Sequence, residues 1–190
     1  MNDKTRCQWV SDDPLYIEYH DKEWGRPIRD DKTLFGMLTL EGAQAGLSWI
    51  TVLKRREGYM AVFDQLDPEK IALYSEKKIE KIVLDKRIIR HRGKITATVG
   101  NAKIFMEMRQ RGESFSDFLW GFVDGQQIQN QRKTLKQVPA NTAESDAMSK
   151  ALKILGFKFC GSTICYAFMQ AVGMVNDHTV DCYCFGECQS

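Results

Sequence analysis

The stretch LGFKFCGST, residues 155–163, decides the fold of the second half of the chain because it lies between two helical patterns. Apolar side chains recur at helical spacing over residues 145–155, and again from about 162 to 172. Two glycines with apolar residues between them permit a tight turn. The stretch therefore predicts two helices joined by a short hairpin.

This hairpin has two interpretations. Gly161 precedes a helix whose free N–H groups can bind a phosphate, and Lys158 adds positive charge. On this interpretation Gly156, Lys158, Gly161 and Ser162 form a helix-hairpin-helix element that holds a nucleic-acid backbone without reading its sequence. On the other, Gly156 is a helix C-cap followed by an ordinary helix–helix turn. From these residues alone, the ordinary turn is favoured.

Helices are also predicted along most of the remaining chain. Capping residues and apolar spacing place helix starts at Asp30/Asp31, Asp67-Pro68, Ser75, Arg92 and Ser116. Residues 124–144 are polar and contain a proline, which predicts a long loop. Alternating strand patterns are nearly absent and no internal repeat is found. The predicted fold class is all-α.

Length and composition limit the function classes. The chain has 190 residues, of which 43% are hydrophobic and 11% aromatic, enough to bury a sizeable core in one large domain or two small ones. A net charge of +2 excludes a chain-wide polybasic binder but leaves room for a basic face. No stretch reaches the ~18 apolar residues of a membrane helix, and the first residues lack a signal core. We expect a cytoplasmic protein with reduced thiols and no membrane partner.

Cysteine and histidine residues near the two ends of the chain suggest a metal site. The candidates are Cys7, His20, His178 and Cys182. Two thiolates and two imidazoles suit a tetrahedral structural zinc ion, which would join the two ends of the chain. Cys184 and Cys188 follow closely and are alternative ligands. Spacing alone does not separate a zinc site from an unliganded histidine among buried thiols.

Aromatic residues and one acid form a second candidate cluster. Trp9, Tyr16, Tyr19 and Trp24 are close in sequence. Glu41 lies in an apolar run and is followed by Trp49 at helical distance. Aromatic faces with one carboxylate suit a flat cationic ligand such as an alkylated purine. A plain aromatic core is favoured for Trp9 and Trp24, while both interpretations stay open for Glu41 with Trp49.

A third cluster is basic. Residues 86–94, KRIIRHRGK, and residues 54–56, KRR, are rich in Lys and Arg. Such side chains can contact phosphates. The alternative is a solvated helix end.

Several unusual strings, taken together, resemble the 3-methyladenine DNA glycosylase I family of the helix-hairpin-helix superfamily. They occur in the family's order over nearly the whole chain: CQWV (7–10), DPLY (13–16), YHDKEWG (19–25), LEG (40–42), AGLSWI (45–50), IIRHRGKI (88–95), GFKF (156–159) and VNDH (175–178).

The resemblance implies a helix-hairpin-helix DNA glycosylase fold in a single unit spanning residues 1–190. Its helical core would cover about 30–175, with the hairpin near 145–173. The terminal region, 1–29 plus 174–190, would bind one zinc ion. The family's ligand positions are filled by Cys7, His20, His178 and Cys182.

The resemblance also implies an enzyme that hydrolyses the N-glycosidic bond of N3-methyladenine in double-stranded DNA and leaves an abasic site. Its pocket would be lined by Tyr16, Tyr19, Glu41 and Trp49. Trp49 would stack on the extruded base, and Glu41 would be the catalytic acidic residue that accepts hydrogen bonds from the adenine edge. The Gly46-Leu47 turn would fill the vacated stack. We expect the enzyme to act as a monomer.

Two departures from the wider superfamily bear on the chemistry. Asn176 stands nearest to the position where relatives carry a catalytic Asp, with Asp177 beside it. Ser162 and Thr163 stand where lyase relatives carry a lysine, which predicts hydrolysis without strand cleavage. The alternative functions are a non-catalytic, zinc-stabilised module that binds damaged DNA, and a thiol hydrolase that pairs Cys160 or Cys165 with His178.

Overall fold

The computed structural model describes residues 4–189. Its α-helices are α1 (Pro14–Lys22), α2 (Asp31–Gln44), α3 (Trp49–Leu53), α4 (Arg56–Val62), α5 (Pro68–Ile71), α6 (Glu76–Val83), α7 (Arg92–Gln110), α8 (Phe115–Trp120), α9 (Ala143–Leu155), α10 (Ser162–Ala171) and α11 (Cys184–Glu187). Two short strands, β1 (Ile128–Gln129) and β2 (Val175–Asn176), and 3-10 turns at Asp64–Leu66, Gly121–Val123 and Leu135–Gln137 complete the elements. The protein is mostly helical, as predicted. Within the described range, no helix combines the length and the apolar character needed to cross a bilayer.

The predicted starts of α2 and α5 agree with the structure, which shows a capping aspartate at each. Asp30 accepts a hydrogen bond from the Thr33 amide at 2.8 Å, and Asp67 caps α5 with Pro68 at the first helical position. The prediction was late for α8 and α9. Ser114, rather than Ser116, caps α8, and Thr142 forms a capping box with Ser145.

Residues 124–144 are more ordered than the predicted loop. Strand β1 pairs with β2 in parallel, with Ile128 opposite Val175 and Gln129 opposite Asn176. Strands of two residues cannot show an alternating pattern, so the sequence did not reveal them. The pairing ties this segment to the residues just before His178.

The core fixes the position of the hairpin. Helix α10 packs against α2 and α9, and α7 packs against α2 and α5. A chain of ring contacts joins Phe35 to Phe105 at 5.5 Å, Phe105 to Phe115 at 5.3 Å, and Phe115 to Phe157 at 5.8 Å between centroids. Each ring is buried and contributes about 1.5–3 kcal/mol of transfer free energy. Because Phe157 belongs to the hairpin, the core holds the hairpin in place.

Candidate active site and metal cluster

A cavity of about 230 Å³ lies between the chain ends and helices α1, α2, α3 and α10. All four residues predicted to bind the base contribute to its wall, namely Tyr16, Tyr19, Glu41 and Trp49. The wall also includes Cys7, Gln8, Trp9, Trp24, Gln44, Leu135, Val138, Ala167, Gln170, Asp177 and Thr179. Mostly apolar walls with a few polar groups are typical of small-molecule sites.

Glu41 is the most unusual side chain of the cavity. It lies on α2 between buried apolar residues and is only 2% exposed. Its Oε2 atom has no hydrogen-bond partner. Burial raises the pKa of Glu41 from its ordinary value of 4.5 to about 8. The carboxyl group is therefore protonated at neutral pH until a donor or a cation enters the cavity.

Two further polar atoms in this cavity lack partners. The Nε1 atoms of Trp9 and Trp49 are buried without a hydrogen bond, as is Oε2 of Glu41. Native proteins satisfy the great majority of buried polar groups, so unpaired atoms need an explanation. These three all line one cavity, which indicates a ligand with both donor and acceptor edges.

Four aromatic rings of the cavity form two contacting pairs. Tyr19 and Trp49 lie 5.3 Å apart between centroids, and Trp9 and Tyr16 lie 5.0 Å apart. Trp9 and Trp24 belong to an aromatic core cluster, as expected. Both residues pack against neighbouring rings, but both also line the cavity.

The tyrosine phenols remain neutral. Burial, together with the nearby Glu41, raises the pKa of Tyr16 and raises that of Tyr19 well above its ordinary value. Neutral phenols leave Glu41 as the group of the predicted base site that can become negatively charged.

Asp177 lines the same cavity but is occupied by other contacts. Its carboxylate accepts hydrogen bonds from Asn130 at 2.8 Å, Tyr166 at 2.5 Å and Gln170 at 2.8 Å, with Arg132 at 3.4 Å. A carboxylate with this many donors is a structural centre, in contrast to the unpartnered Glu41.

Asn176, next to it, is also structural. Its amide group donates to Gln129 and to the Phe185 carbonyl, both at 3.0 Å, and its oxygen accepts from the His178 amide at 3.3 Å. It joins β2 to β1 and to the last helix.

The four residues predicted to bind metal come together in one buried cluster. Their ligand atoms all lie within 4.8 Å of one another. The Sγ atoms of Cys7 and Cys182 are each 3.5 Å from His178 Nδ1, and Cys182 Sγ is also 3.5 Å from His20 Nε2. The cluster is compact enough for one ion to contact all four ligands.

The outer ring nitrogens of both histidines have oxygen partners. His20 Nδ1 lies 2.8 Å from Asp21, which Arg6 binds through two nitrogens. His178 Nε2 lies 3.2 Å from the Trp24 carbonyl oxygen. With the proton on these outer nitrogens, the inner nitrogens present lone pairs to the thiols, which is the usual support for metal-binding histidines.

The metal cluster and the cavity share a wall. Cys7 and Thr179 line the cavity, and the Thr179 amide donates to Cys7 Sγ at 3.4 Å. Cys184 forms a second group with His20 and Asp21. Cys188 Sγ lies 3.5 Å from His178 Nε2, on the side away from Cys7 and Cys182.

The thiol hydrolase hypothesis is wrong. Cys165 Sγ donates to the Cys160 carbonyl oxygen at 3.3 Å, and burial raises the pKa of Cys165 to about 12. Both His178 nitrogens face other groups. Cys160 and Cys165 are buried core residues.

The hairpin between α9 and α10 is held by side chains from neighbouring helices. Gly156 has φ = 100°, a conformation that glycine adopts easily at a helix C-cap. Asn101 of α7 accepts from the Lys158 amide at 2.9 Å and donates to the Lys158 carbonyl at 3.0 Å. Asn101 was missed in the sequence; the available signal was an Asn on the buried face of a long helix.

Helix α10 begins with its amides available. Gly161 is the N-cap and provides no side-chain hydrogen bond to the first turn. Gly161 and Ser162 are half-buried, and Lys158 is exposed. A helix N-terminus in this condition can receive an anion.

The Gly46-Leu47 turn projects from the end of α2. Gly46 has φ = 80°, and Leu47 is 42% exposed. Lys94 lies beneath this turn and donates to the carbonyl oxygens of Ala43 at 2.9 Å and Ala45 at 2.6 Å. A cation at the C-terminal end of a helix satisfies its last carbonyls and opposes its dipole.

The predicted basic cluster is largely engaged within the protein. Arg87 pairs with Asp85, Arg92 pairs with Glu80, and Lys94 is directed at α2. His91 is the N-cap of α7 and accepts from the Lys94 amide at 3.1 Å. For these residues, internal pairing replaces the phosphate contacts suggested by sequence.

Comparisons with known proteins agree with this site. The sequence profile of the methyladenine glycosylase family matches residues 9–185. DNA-3-methyladenine glycosylase 1 of Escherichia coli (strain K12) is 59% identical over 180 residues, which cover 95% of this chain and 96% of the relative.

Solved structures give the same result. A crystal structure of 3-methyladenine DNA glycosylase I superposes with a TM-score of 0.94 at 57% identity, covering 95% of this chain and 99% of that one. A variant of 3-methyladenine DNA glycosylase I in complex with 3-methyladenine superposes with a TM-score of 0.90 at 36% identity, covering 94% of this chain and 96% of the other. The resemblance found in the sequence strings is confirmed, and this chain belongs to the methyladenine glycosylase family.

Proposed function

We propose that this protein is a DNA repair enzyme that excises N3-methyladenine from alkylated DNA by hydrolysis, leaving an abasic site. The observation that carries the proposal is the buried, unpartnered carboxyl group of Glu41 in an aromatic cavity. The names of the matched relatives, which are 3-methyladenine DNA glycosylases, support the same reaction.

The cavity requires the base to leave the duplex. A base inside the stack cannot reach a buried carboxyl group, so the nucleotide must rotate out at a cost of a few kcal/mol. In the cavity Trp49 stacks on the purine, with Tyr19 next to it and Tyr16 on a further wall. Stacking on aromatic rings favours a flat cation over a neutral base.

Glu41 supplies the selectivity for the methylated base. Methylation at N3 gives the purine a positive charge, which restores the ionised form of the carboxyl group and lowers its pKa from about 8. The carboxylate then accepts hydrogen bonds from the adenine edge. Unmodified adenine carries no positive charge, so it leaves Glu41 neutral and binds in the cavity with a less favourable free energy.

The reaction itself needs little acid catalysis, because a cationic purine is a good leaving group. Water attacks the sugar carbon and releases one proton to solvent, the N-glycosidic bond breaks, and the bond electrons neutralise the departing base. Ser162 and Thr163 supply no amine at the start of α10. We therefore propose a monofunctional hydrolase that does not cleave the strand.

The hairpin and the Gly46-Leu47 turn are the proposed DNA contacts. The amides at Gly161 and Ser162 and the charge of Lys158 would bind backbone phosphate, with Gly156 shaping the turn. Exposed Leu47 would enter the space that the base leaves. All these elements belong to one chain, so we propose a monomer acting on double-stranded DNA.

The metal is proposed to be a single structural zinc ion held by Cys7, His20, His178 and Cys182. In a tetrahedral site, S and N ligands at about 2.3 and 2.0 Å from zinc lie about 3.5 Å apart. Three of the four S···N distances in the cluster, Cys7–His178, Cys182–His178 and Cys182–His20, are each 3.5 Å. Bound zinc would crosslink residues 1–29 and 174–190 as a terminal region beside a helical core of about 30–175.

Base release from alkylated DNA is the deciding experiment. Purified protein is incubated with methylated duplex DNA, and the released bases are separated by chromatography. We expect 3-methyladenine in the soluble fraction and strands that break only after alkaline treatment at the abasic sites. Binding to methylated duplex without base release would instead favour the non-catalytic damage-binding module, and immediate strand cleavage would contradict the monofunctional mechanism.

A further inference from the structure

The segment of residues 131–138, called the mouth loop below, stands where the cavity opens to solvent. Leu135 and Val138 both line the cavity, and Leu135 is 41% exposed. A large apolar side chain that is both in the cavity wall and open to solvent marks the rim of the entrance. Gln44 and Trp49, which flank the Gly46-Leu47 turn, line another part of the same wall.

The mouth loop has a defined conformation. The Val180 amide donates to the Arg132 carbonyl at 2.8 Å, which fixes the start of the loop to the segment between His178 and Cys182. At its tip, the Lys133 amide donates to the Gln137 side chain at 2.6 Å, and the Gln137 amide donates to the Thr134 carbonyl at 3.1 Å. The loop therefore presents its side chains from a fixed backbone.

The charges of this loop are available to a partner. Residues 125–143 contain Arg132, Lys133 and Lys136 but no Asp or Glu. Arg132 contacts Asp177, whereas Lys133 and Lys136 are exposed and form no ion pair with any described residue between 4 and 189. This is the opposite of Arg87 and Arg92 in the basic cluster, whose charges are paired with acids.

The anion that meets these lysines follows from the position of the loop at the opening of the cavity. A nucleotide whose base occupies the cavity remains bonded to its strand through the phosphates on either side. Those phosphates must lie near the rim, where exposed ammonium groups act as point charges for them. A phosphate backbone is the anion that this position would meet.

We propose that Lys133 and Lys136 bind the phosphates flanking the extruded nucleotide, and that Leu135 packs against its sugar. This inference rests on the function proposed above and adds a second phosphate-binding element to the hairpin. The damaged strand is then held between the mouth loop and the Gly46-Leu47 turn. Lys133 and Lys136 contribute to affinity for DNA and leave recognition of the base itself unchanged.

The test compares two double variants of the full-length protein. Lys133→Gln/Lys136→Gln removes the mouth-loop charges, and Lys70→Gln/Lys77→Gln removes the same charge from exposed, unpaired lysines of α5 and α6 that do not line the cavity. Affinity is measured for a duplex carrying a tetrahydrofuran abasic analogue over a series of salt concentrations. Binding of free 3-methyladenine is measured in parallel.

We expect the mouth-loop variant to bind the duplex about tenfold more weakly, with the slope of log K against log salt reduced by about 1.8, the value for two phosphate contacts. The control variant should keep most of the slope, and both variants should bind free 3-methyladenine like the wild type. Equal duplex affinities and slopes for the two variants would overturn the inference. So would a loss of free-base binding in the mouth-loop variant, since that would assign the lysines a structural role.

Failure of the proposed function is a separate result. If the wild type releases no base from methylated DNA, the glycosylase proposal fails, whatever the salt slopes show. If the wild type releases the base and the mouth-loop variant matches it in duplex binding, only the present inference fails.

Discussion

Among single residues, Glu41 carries the largest conflict between its chemistry and its surroundings. A carboxyl group that is 2% exposed and lacks a partner destabilises the empty protein whenever it is ionised. That cost is removed when a cation enters the cavity. The desolvation cost of Glu41 therefore contributes to selectivity only if the ligand is positively charged.

We predict that Glu41→Gln lowers the rate of 3-methyladenine release by about 100-fold, because an amide cannot provide a negative charge to the cationic base. The fold should be retained, since Gln has nearly the same shape. The matched control is Glu57→Gln, which alters an exposed and unpaired acid of α4. Single-turnover release rates with circular dichroism spectra would check both; loss of the fold in Glu41→Gln would indicate a structural role instead.

The pKa of Glu41 also predicts a pH dependence of stability. A folded-state pKa of about 8, above the ordinary 4.5, means that the wild type is most stable, relative to Glu41→Gln, below pH 4.5. That relative stability should fall as the pH rises towards 8, by an amount on the order of 4 kcal/mol. Urea unfolding of both proteins at pH 5, 7 and 8.5 measures the difference. If the difference in unfolding free energy between the two proteins is the same at all three pH values, Glu41 is not desolvated in solution.

The sequence located some of these residues better than others. Glu41 was identifiable because an acid in an apolar run is rare, and burial then follows from the helix that carries it. Trp9 was assigned to the core because a tryptophan in the sequence does not show which of its edges is unpaired. The free Nε1 atom becomes visible only when its neighbours are known.

Among the elements, helix α7 organises the surface proposed to meet DNA. Lys94, near the N-terminus of α7, donates to carbonyl oxygens at the end of α2. Two turns later, the side chain of Asn101 bonds to the backbone amide and the backbone carbonyl of Lys158. Phe159 lies so close to α2 that a Cβ on Gly42 would be 3.1 Å from its carbonyl oxygen. One helix thus sets the separation between the Gly46-Leu47 turn and the hairpin.

We predict that Lys94→Met lowers the free energy of unfolding by about 2 kcal/mol, because two hydrogen bonds from a charged donor to the end of α2 are lost. Excision from duplex DNA should fall, while binding of free 3-methyladenine should persist, since Lys94 does not line the cavity. Lys103→Met is the control, because Lys103 is exposed on the same helix. Urea denaturation and base-release assays would measure the two effects; equal stability of the two variants would contradict this role for Lys94.

Helices were predictable where local signals are strong. The start of α7 at Arg92 was predicted, since apolar side chains at helical spacing follow it. The role of Lys94 was not predictable, because sequence shows its charge but not the helix end to which it donates. The pairing of Arg87 and Arg92 with acids escaped the sequence for the same reason.

For the whole molecule, the metal cluster connects the two ends of the described chain. Cys7 and His178, which are in contact, are 171 residues apart in sequence. Constraining so long a loop removes entropy mainly from the unfolded chain. The positions of the cysteines and histidines suggested the four ligands of this cluster, and the resemblance supported the same set. Only the structure shows that the same cluster also forms a wall of the cavity.

Removing the metal should therefore affect stability and activity together. We predict one zinc ion per chain in the native protein, and a fall of about 10 °C in Tm for Cys7→Ser or His178→Ala, the shift expected for a loss of a few kcal/mol in a protein of this size. His91→Asn is the control, because it keeps a capping side chain outside the cluster. Elemental analysis with thermal unfolding gives both quantities; native protein free of zinc would refute the metal assignment.

The wall shared by the cavity and the two chain ends has a consequence for biosynthesis. Cys7, Gln8 and Trp9 are made well before Asp177 and Thr179, yet all of them line one cavity. A nascent chain on the ribosome can form most of its helices but has no finished cavity until Cys182 has left the exit tunnel. The cavity is thus completed only when its wall at Asp177 and Thr179 has been made, so chains released before that point carry the hairpin without a complete cavity.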